Sequence, residues 1–286
     1  MRLARFVLDG RQGIAALDGD TACGRFADEA AYPGELDALL AEGPDILRAA
    51  GEALYAGTRI DLSMAQLLSP FCAPGKIICV GLNYADHSDE SGFAVPEFPT
   101  IFARFASSLI GPGAAIVRPR ASEQLDYEGE LVAVIGKGGR YIPKACALEH
   151  VVGYTLFNDA SVRDFQLRTP QRTVGKNFDG TGAIGPVFVT ADALPPGCAG
   201  LRLTTRLNGQ VVQDAGIDDM IFGVADLVSR LSETMTLAPG DIIVTGTPSG
   251  VGMARRPPLW MRAGDVCEVE IPGIGILRNP VIDEDA

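Results

Sequence analysis

Residues 125–135 read Leu125-Asp126-Tyr127-Glu128-Gly129-Glu130-Leu131-Val132-Ala133-Val134-Ile135, so alternating acids lead directly into an unbroken apolar run. In one β-strand Asp126, Glu128 and Glu130 share a face, because side chains alternate along a strand. Neighbouring carboxylates that leave water together repel one another strongly. Mg²⁺ or Mn²⁺ removes this cost, because hard cations bind carboxylate oxygens and leave positions for the oxygens of a substrate. The segment therefore predicts a buried strand that starts at a divalent-metal site, with a solvated strand end as the alternative.

A further acid, Asp159, lies at the end of another apolar run. Asp159 follows the run that starts at Val151 and lies in Phe157-Asn158-Asp159-Ala160-Ser161-Val162-Arg163-Asp164. An Asp at this place is also typical of a helix N-cap, so by itself Asp159 does not decide between a cap and a metal ligand. Four residues later, Arg163 can hydrogen-bond to metal-binding carboxylates and keep them oriented.

The chain from Lys76 onward consists mainly of candidate strands. Gly, Pro and Asn separate β-branched and other apolar runs at 77–80, 116–117, 131–135, 151–157, 187–189, 201–207, 242–245 and 266–271. Only one long amphipathic helix is indicated, over about residues 218–234. Strands without alternating helices argue against a doubly wound sheet. We therefore predict an α+β, mostly β fold with a mixed sheet that forms a roll or a sandwich.

The first 70 residues have a different pattern. Candidate strands at 3–8 and 14–17 are followed by three helical stripes, the last of which, at 62–68, stops before Pro70. We predict a small N-terminal α+β domain over residues 1–70 and a larger second domain over residues 71–286.

The composition restricts the partners of the protein. There are 24 Lys and Arg residues against 36 Asp and Glu residues, which gives a formal net charge of -12. Such a surface repels phosphate backbones and anionic membranes, so neither nucleic acid nor a membrane is an expected partner. No apolar run approaches the ~18 residues that a membrane helix needs. The start of the chain carries no secretory pattern, and we expect a cytoplasmic protein.

Four motifs resemble, in their order and spacing, those of the fumarylacetoacetate hydrolase family, and the similarity covers roughly residues 72–280. The motifs are Asp126-Tyr127-Glu128-Gly129-Glu130-Leu131, Asn158-Asp159-x-Ser161-x-Arg163-Asp164, Gly175-Lys176-Asn177-Phe178-Asp179 and Thr245-Gly246-Thr247-Pro248-x-Gly250-Val251-Gly252. The resemblance implies a catalytic second domain of the family's C-terminal type. It also implies that Glu128, Glu130 and Asp159 bind Mg²⁺ or Mn²⁺ and that Asp126 does not. Because family members are usually homodimers, we expect a homodimer.

His87 and Glu90, which lie earlier in the chain than the carboxylate segment, suggest acid-base chemistry. Glu90 follows His87 by three residues, so one helical turn would bring the carboxylate to the imidazole. Such a pairing raises the basicity of the imidazole, as activation of water requires, although a surface histidine beside acids is the alternative. The family's hydrolases and decarboxylases use a His-x-x-Glu dyad, and the resemblance implies that His87 and Glu90 are catalytic. His150 matches no motif, and we expect a structural role for it.

Other candidates surround the expected substrate. Lys176 is the best candidate for a cation directed at an oxyanion or a substrate carboxylate. Gln166 matches, by resemblance, a glutamine that contacts substrate in the family's namesake. Thr247 lies in a glycine-rich turn whose backbone N–H groups can receive an anion, and an ordinary turn is the alternative. We expect Gln166, Thr247 and Arg163 to contact substrate, with Arg163 also able to support the metal carboxylates.

A glycine pattern in the chain is typical of dinucleotide-binding proteins. Gly180-Thr181-Gly182-Ala183-Ile184-Gly185 satisfies the G-x-G-x-x-G spacing. That motif requires a helix after it, whereas Pro186 and an apolar run predict a strand here. We therefore expect no nucleotide cofactor.

These observations lead to three hypotheses. The first is hydrolysis of a carbon-carbon bond in a 2,4-dioxo acid, an acylpyruvate of the fumarylpyruvate type, to pyruvate and a carboxylic acid, with His87 activating water. The second is decarboxylation or isomerisation of a 2-oxo diacid, of the oxaloacetate or 2-hydroxyhepta-2,4-diene-1,7-dioate type, in aromatic catabolism. The third is a metal-binding protein without activity, because a fold does not guarantee catalysis.

Overall fold

The computed structural model describes residues 1–19, 21–86 and 97–285. Its strands are β1 (Arg2–Leu8), β2 (Arg11–Asp18), β3 (Thr21–Phe26), β4 (Thr58–Ile60), β5 (Gln66–Leu67), β6 (Ile77–Gly81), β7 (Thr100–Ala103), β8 (Leu109–Ile110), β9 (Ile116–Arg118), β10 (Leu125–Asp126), β11 (Gly129–Ile135), β12 (Val151–Asp159), β13 (Ser161–Val162), β14 (Gly182–Thr190), β15 (Arg202–Leu207), β16 (Gln210–Gly216), β17 (Ile242–Val244), β18 (Val266–Ile271) and β19 (Gly275–Asp283). The α-helices are α1 (Leu36–Glu42), α2 (Pro44–Tyr55), α3 (Arg163–Gln166), α4 (Thr173–Lys176) and α5 (Val224–Thr234). Short 3-10 helices occupy Ala106–Ser108, Lys144–His150, Ala191–Ala193, Pro196–Cys198, Ile217–Asp219 and Gly252–Ala254.

Two large mixed sheets form the body of the protein. The 12-stranded sheet follows the order β4-β3-β2-β1-β14-β12-β11-β17-β6-β7, with β5 beside β1 and β8 beside β14. The 5-stranded sheet has the order β16-β15-β18-β19-β9. Most neighbouring strands are antiparallel, but β17 runs parallel to β6, β19 to β9 and β8 to β14. The predicted fold class, α+β and mostly β with mixed sheets, is confirmed.

Strand β11 is the centre of the larger sheet, and its side chains enter two different cores. Leu131, Ala133 and Ile135 belong to the core shared with the 5-stranded sheet. Val132 and Val134, on the opposite face, belong to the core beneath α1 and α2. Alternation along the strand separates the two sets. Burial on both faces therefore explains why this part of the sequence is apolar without interruption.

The N-terminal strands extend the same large sheet. β1 pairs with β14, and Leu3 lies opposite Phe188 in the register. Both residues belong to the core beneath α1 and α2. The third predicted helix, at 62–68, is wrong, because Gln66–Leu67 is a strand that pairs with β1. The division into domains at residue 70 stays a prediction about the organisation of the chain.

The long amphipathic helix starts later than predicted. Residues Ile217–Asp219 form a 3-10 turn, and α5 begins at Val224. The backbone N–H of Phe222 donates to the side chain of Asn83 at 2.8 Å, which takes this part of the chain out of the helix. In the part of the chain that the structure describes, neither α5 nor any other helix combines the length and apolar character of a membrane span.

The sheet brings three strand ends to one place. Glu130, near the start of β11, lies opposite Phe157 of β12, and Val132 lies opposite Val244 of β17. Asp159 ends β12, and Gly246 follows β17 by two residues. The polar residues at these ends therefore meet at one edge of three almost completely buried strands.

Candidate metal centre and active site

Three of the predicted acids meet at this edge. Glu128, Glu130 and Asp159 each offer a carboxylate oxygen, and these oxygens lie within 4.8 Å of one another. All three side chains are buried, with 5%, 1% and 0% of their surface exposed. We call these residues the carboxylate cluster. Three carboxylates so close together and so far from water are the donor set that a hard divalent cation prefers.

The acidic segment does not form one continuous strand as predicted. β10 ends at Asp126 and pairs with β13, whereas β11 begins at Gly129. The Asp126 carboxylate therefore points away from the cluster and accepts backbone N–H groups of Gly252 and Met253 at 2.7 and 2.9 Å. Asp126 lies outside the cluster because its carboxylate binds the start of the 3-10 helix Gly252–Ala254.

Positively charged side chains surround the cluster. The Lys176 ammonium lies 2.6 Å from a carboxylate oxygen of Glu128 and 2.6 Å from one of Asp159. It also donates to the backbone oxygen of Asp159 at 3.1 Å. The three N–H donors of Lys176 are thus directed at the cluster and its backbone. Although burial alone lowers the pKa of Lys176, the Asp159 and Glu128 carboxylates raise it above its ordinary value.

Two arginines form ion pairs with carboxylates of the cluster. Arg163 lies 2.6 Å from Glu128 and 2.7 Å from Asp126, so it links the cluster to the 252–253 loop. Arg104 donates to the second carboxylate oxygen of Asp159 and to the backbone oxygen of Ala160. Asp159 is therefore held by Arg104 on one oxygen and faces Lys176 with the other.

The buried charges around the cluster do not balance. They comprise four acids and three bases, namely Asp126, Glu128, Glu130, Asp159, Arg104, Arg163 and Lys176. Glu130 receives a backbone N–H bond from Gly246. Burial raises the pKa of Glu130 well above its usual range, and the charges of Asp159 and Glu128 raise it further. An excess of one negative charge in a buried site fits a bound divalent cation.

Glu128 of the cluster lines a small cavity of about 60 Å³. Its polar lining residues are Thr100, Glu128, Arg163, Gln166, Arg172, Lys176 and Thr247. Its apolar lining residues are Val80, Leu82, Phe102, Leu167 and Met253. A cavity with a charged floor and apolar walls suits a small anionic molecule.

The predicted substrate-binding residues line this cavity. The side-chain oxygen of Gln166 accepts from Arg163 at 2.9 Å, so the amide N–H₂ group is the donor that Gln166 offers to the cavity. The Thr247 hydroxyl donates to the backbone oxygen of Gly129 at 2.9 Å and accepts from Gln213 at 2.8 Å. The Gly246 N–H, in the turn expected to receive a substrate anion, binds Glu130 instead.

The chain has two histidines, His87 and His150. His87 and Glu90 lie outside the described residues. Leu82 and Thr100, which precede and follow that segment, both line the cavity. His150 is buried, and its Nδ1 lies 2.7 Å from the backbone oxygen of Lys137, which fits the structural role expected for it.

Sequence reasoning did not identify two residues that support the cluster. Arg104 follows strand β7, and a charged residue at the end of an apolar run was a signal for it. Asn158 accepts the backbone N–H of Glu128 at 3.0 Å and is contained in the motif quoted for Asp159. The G-x-G-x-x-G segment, in contrast, runs into strand β14 as predicted.

Comparisons with known proteins identify the class of the protein. Residues 76–282 match the model of the fumarylacetoacetate (FAA) hydrolase C-terminal domain, and the chain belongs to this family. The oxaloacetate tautomerase fahd2, mitochondrial, of Xenopus laevis is 40% identical over 290 residues, which cover 99% of this chain and 90% of that protein. A fumarylacetoacetate hydrolase from Exiguobacterium antarcticum is 37% identical, with a TM-score of 0.84 over 99% of this chain and 100% of that chain. The maleylpyruvate hydrolase from Sphingobium sp. SYK-6, solved with manganese(II) ion and pyruvate, is 29% identical, with a TM-score of 0.80 over 100% of both chains.

We predict that Glu130→Gln separates metal binding from folding. The change removes a buried carboxylate whose charged form is disfavoured by burial, so the metal-free variant should be at least as stable as the metal-free wild type. Magnesium at 100 times its Kd should stabilise the wild type by about 2.7 kcal/mol and the variant much less. Thermal unfolding with and without Mg²⁺ measures both effects. Glu123→Gln, at an exposed acid, is the control, and an undiminished magnesium effect in Glu130→Gln would contradict the site.

The raised pKa of Glu130 predicts that metal binding releases protons. Below this pKa the carboxyl carries a proton that the cation must displace, so metal affinity weakens as the pH falls through it. Above the pKa this dependence disappears. Calorimetric titration with Mg²⁺ in two buffers of different ionisation enthalpy counts the protons released. Equal proton release by wild type and Glu130→Gln at every pH would show that Glu130 is not the group involved.

Proposed function

We propose that the protein is a divalent-metal-dependent enzyme that interconverts the keto and enol forms of oxaloacetate or a closely related small 2-oxo acid. The observation that carries the proposal is the buried carboxylate cluster, whose Glu128 lines a small cavity together with Lys176. The full-length similarity to an oxaloacetate tautomerase supports this reaction among those known in the family.

Keto-enol interconversion moves one proton between C3 and the C2 oxygen. A divalent cation held by Glu128, Glu130 and Asp159 would polarise the 2-oxo group and stabilise the enolate charge that develops on it. The Gln166 N–H₂ group can donate to a substrate oxygen in the cavity. Lys176 and Arg163 keep the carboxylates in place through the contacts described above.

A group that carries the proton is also needed. We propose His87, oriented by Glu90, for this role, because its sequence position is close to Leu82 at the cavity. A neutral imidazole can accept the C3 proton and return it to the enolate oxygen. The apolar wall formed by Val80, Leu82 and Phe102 limits the access of water to the reacting atoms.

Hydrolysis of an acylpyruvate is the second candidate. Water, with His87 as the base, would attack the C4 carbonyl, and cleavage of the C3–C4 bond would then release a carboxylic acid and leave the enolate of pyruvate. The similarity to a maleylpyruvate hydrolase solved with manganese and pyruvate favours it. Decarboxylation of a 2-oxo diacid differs only in the departure of CO₂.

The proposed activity predicts accelerated conversion of freshly dissolved enol-oxaloacetate to the keto form in Mg²⁺ or Mn²⁺. Ultraviolet absorbance of the conjugated enol follows the conversion. A chelator should remove the acceleration, and added metal should restore it. A rate equal to that of buffer with metal alone would contradict the proposal. If a panel of 2-oxo acids also showed no turnover, a non-catalytic metal-binding role would gain support.

The product analysis separates the candidates. In ¹⁸O-labelled water, hydrolysis of an acylpyruvate places label in a new carboxylate, and decarboxylation releases CO₂ without such label. His87→Ala should lower the rate by about 10²–10⁴-fold while retaining the Mg²⁺-dependent thermal stabilisation. Asp86→Asn, at an exposed acid next to the segment, is the matched control. An unchanged rate in His87→Ala would remove His87 from the mechanism.

We also propose that the protein is a homodimer. Strand β7 is an edge of the large sheet, and Ile101 within it is 43% exposed. Phe105 and Val174 nearby are 55% and 60% exposed, and a second copy could cover such apolar side chains. Light scattering should give twice the chain mass of 30.1 kDa, and a mass of one chain would contradict the dimer.

A further inference from the structure

The cavity contains a third positively charged side chain besides Lys176 and Arg163. Arg172 lines the cavity and is half-buried. Lys176 and Arg163 donate to the acids in and beside the cluster. Arg172 therefore adds a guanidinium to the cavity beside the two bases that contact the acids.

The backbone places Arg172 one helical turn from Lys176. Arg172 has helical backbone angles, φ -74 and ψ -22, and immediately precedes α4. Residues four apart on a helix lie on the same face, with about 5–6 Å between their Cβ atoms. Arg172 and Lys176 therefore border the cavity side by side, with Lys176 at the carboxylate cluster and Arg172 one turn away.

The charge balance shows why a second carboxylate needs such a residue. The four acids and three bases leave one negative charge, which a divalent cation would convert to one positive charge. One positive charge balances one carboxylate of a substrate. A second carboxylate against the apolar wall of Val80, Leu82 and Phe102 would lack a partner. A guanidinium is suited to this task because it binds a carboxylate through two parallel hydrogen bonds.

We propose that Arg172 binds the distal carboxylate of the substrate, so that the site selects four-carbon 2-oxo diacids over mono-acids. The inference rests on the proposed function for the chemistry at the other end of the molecule. It assigns to Arg172 the recognition of substrate and not the transfer of the proton.

Two unreactive four-carbon acids test this assignment in the Mg²⁺-loaded protein. Malate and 2-hydroxybutanoate differ only in having a carboxylate or a methyl group at C4. Calorimetry should show that the wild type binds malate at least about tenfold more tightly, as expected for one charge-assisted contact. Arg172→Leu should weaken malate binding by about 10–100-fold and change 2-hydroxybutanoate binding less than about twofold.

Arg168→Leu is the matched control. Arg168 lies in the same segment, is exposed, and places its guanidinium 3.5 Å from the centroid of the Phe165 ring. This variant should keep the preference for malate. If Arg172→Leu does not fold, Arg172→Gln, which keeps a polar side chain without the charge, should also lose the preference.

Two results would overturn the assignment of Arg172. One is equal binding of malate and 2-hydroxybutanoate by the wild type, and the other is malate binding by folded Arg172→Leu or Arg172→Gln as tight as that of the wild type. A preference for malate that depends on Arg172 in a protein without oxaloacetate turnover would support the assignment and contradict the proposed function. The two failures are therefore distinguishable.

Discussion

The burial of three carboxylates within 4.8 Å of one another is the constraint on which the rest of the site depends. Charged groups lose their hydration when they are buried, and like charges add repulsion. Lys176, Arg163 and Arg104 offset much of this cost through close contacts with Glu128 and Asp159. They do not offset all of it, because the pKa of Glu130 is raised well above its usual range. This incompletely offset negative charge is the property that a binding site for a divalent cation requires.

The fold supplies the rigidity that such a cluster needs. β11 lies between β12 and β17 and is buried on both faces, so the positions of the strand ends are determined by two cores at once. Glu130 and Asp159 lie at these ends, Glu128 directly precedes β11, and Gly246 follows β17 by two residues. Lys176, in contrast, comes from a short helix, and Arg163 from another. Glu130 and Asp159 lie on the central strands, whereas Lys176 and Arg163 come from short helices outside them.

Local sequence patterns predicted much of this arrangement. Runs of β-branched residues indicated β6, β11, β12, β14, β15, β17 and β18, because β-branched side chains pack well on a pleated sheet. The meeting of Glu128, Glu130 and Asp159 followed from the family motifs. The break after Asp126 and the late start of α5 were not predictable, because they depend on distant partners, namely the 252–253 backbone and Asn83. Arg104 was missed for the same reason, since 55 residues separate it from Asp159.

The central claim is that the three carboxylates bind one divalent cation, and anomalous diffraction from crystals grown in Mn²⁺ tests it most directly. We expect a single strong anomalous peak among the carboxylate oxygens of Glu128, Glu130 and Asp159. Lys176 would then have to yield at least one of its contacts with the cluster to the ion. Absence of the peak at saturating Mn²⁺, with the Lys176 ammonium still between Glu128 and Asp159, would contradict the claim.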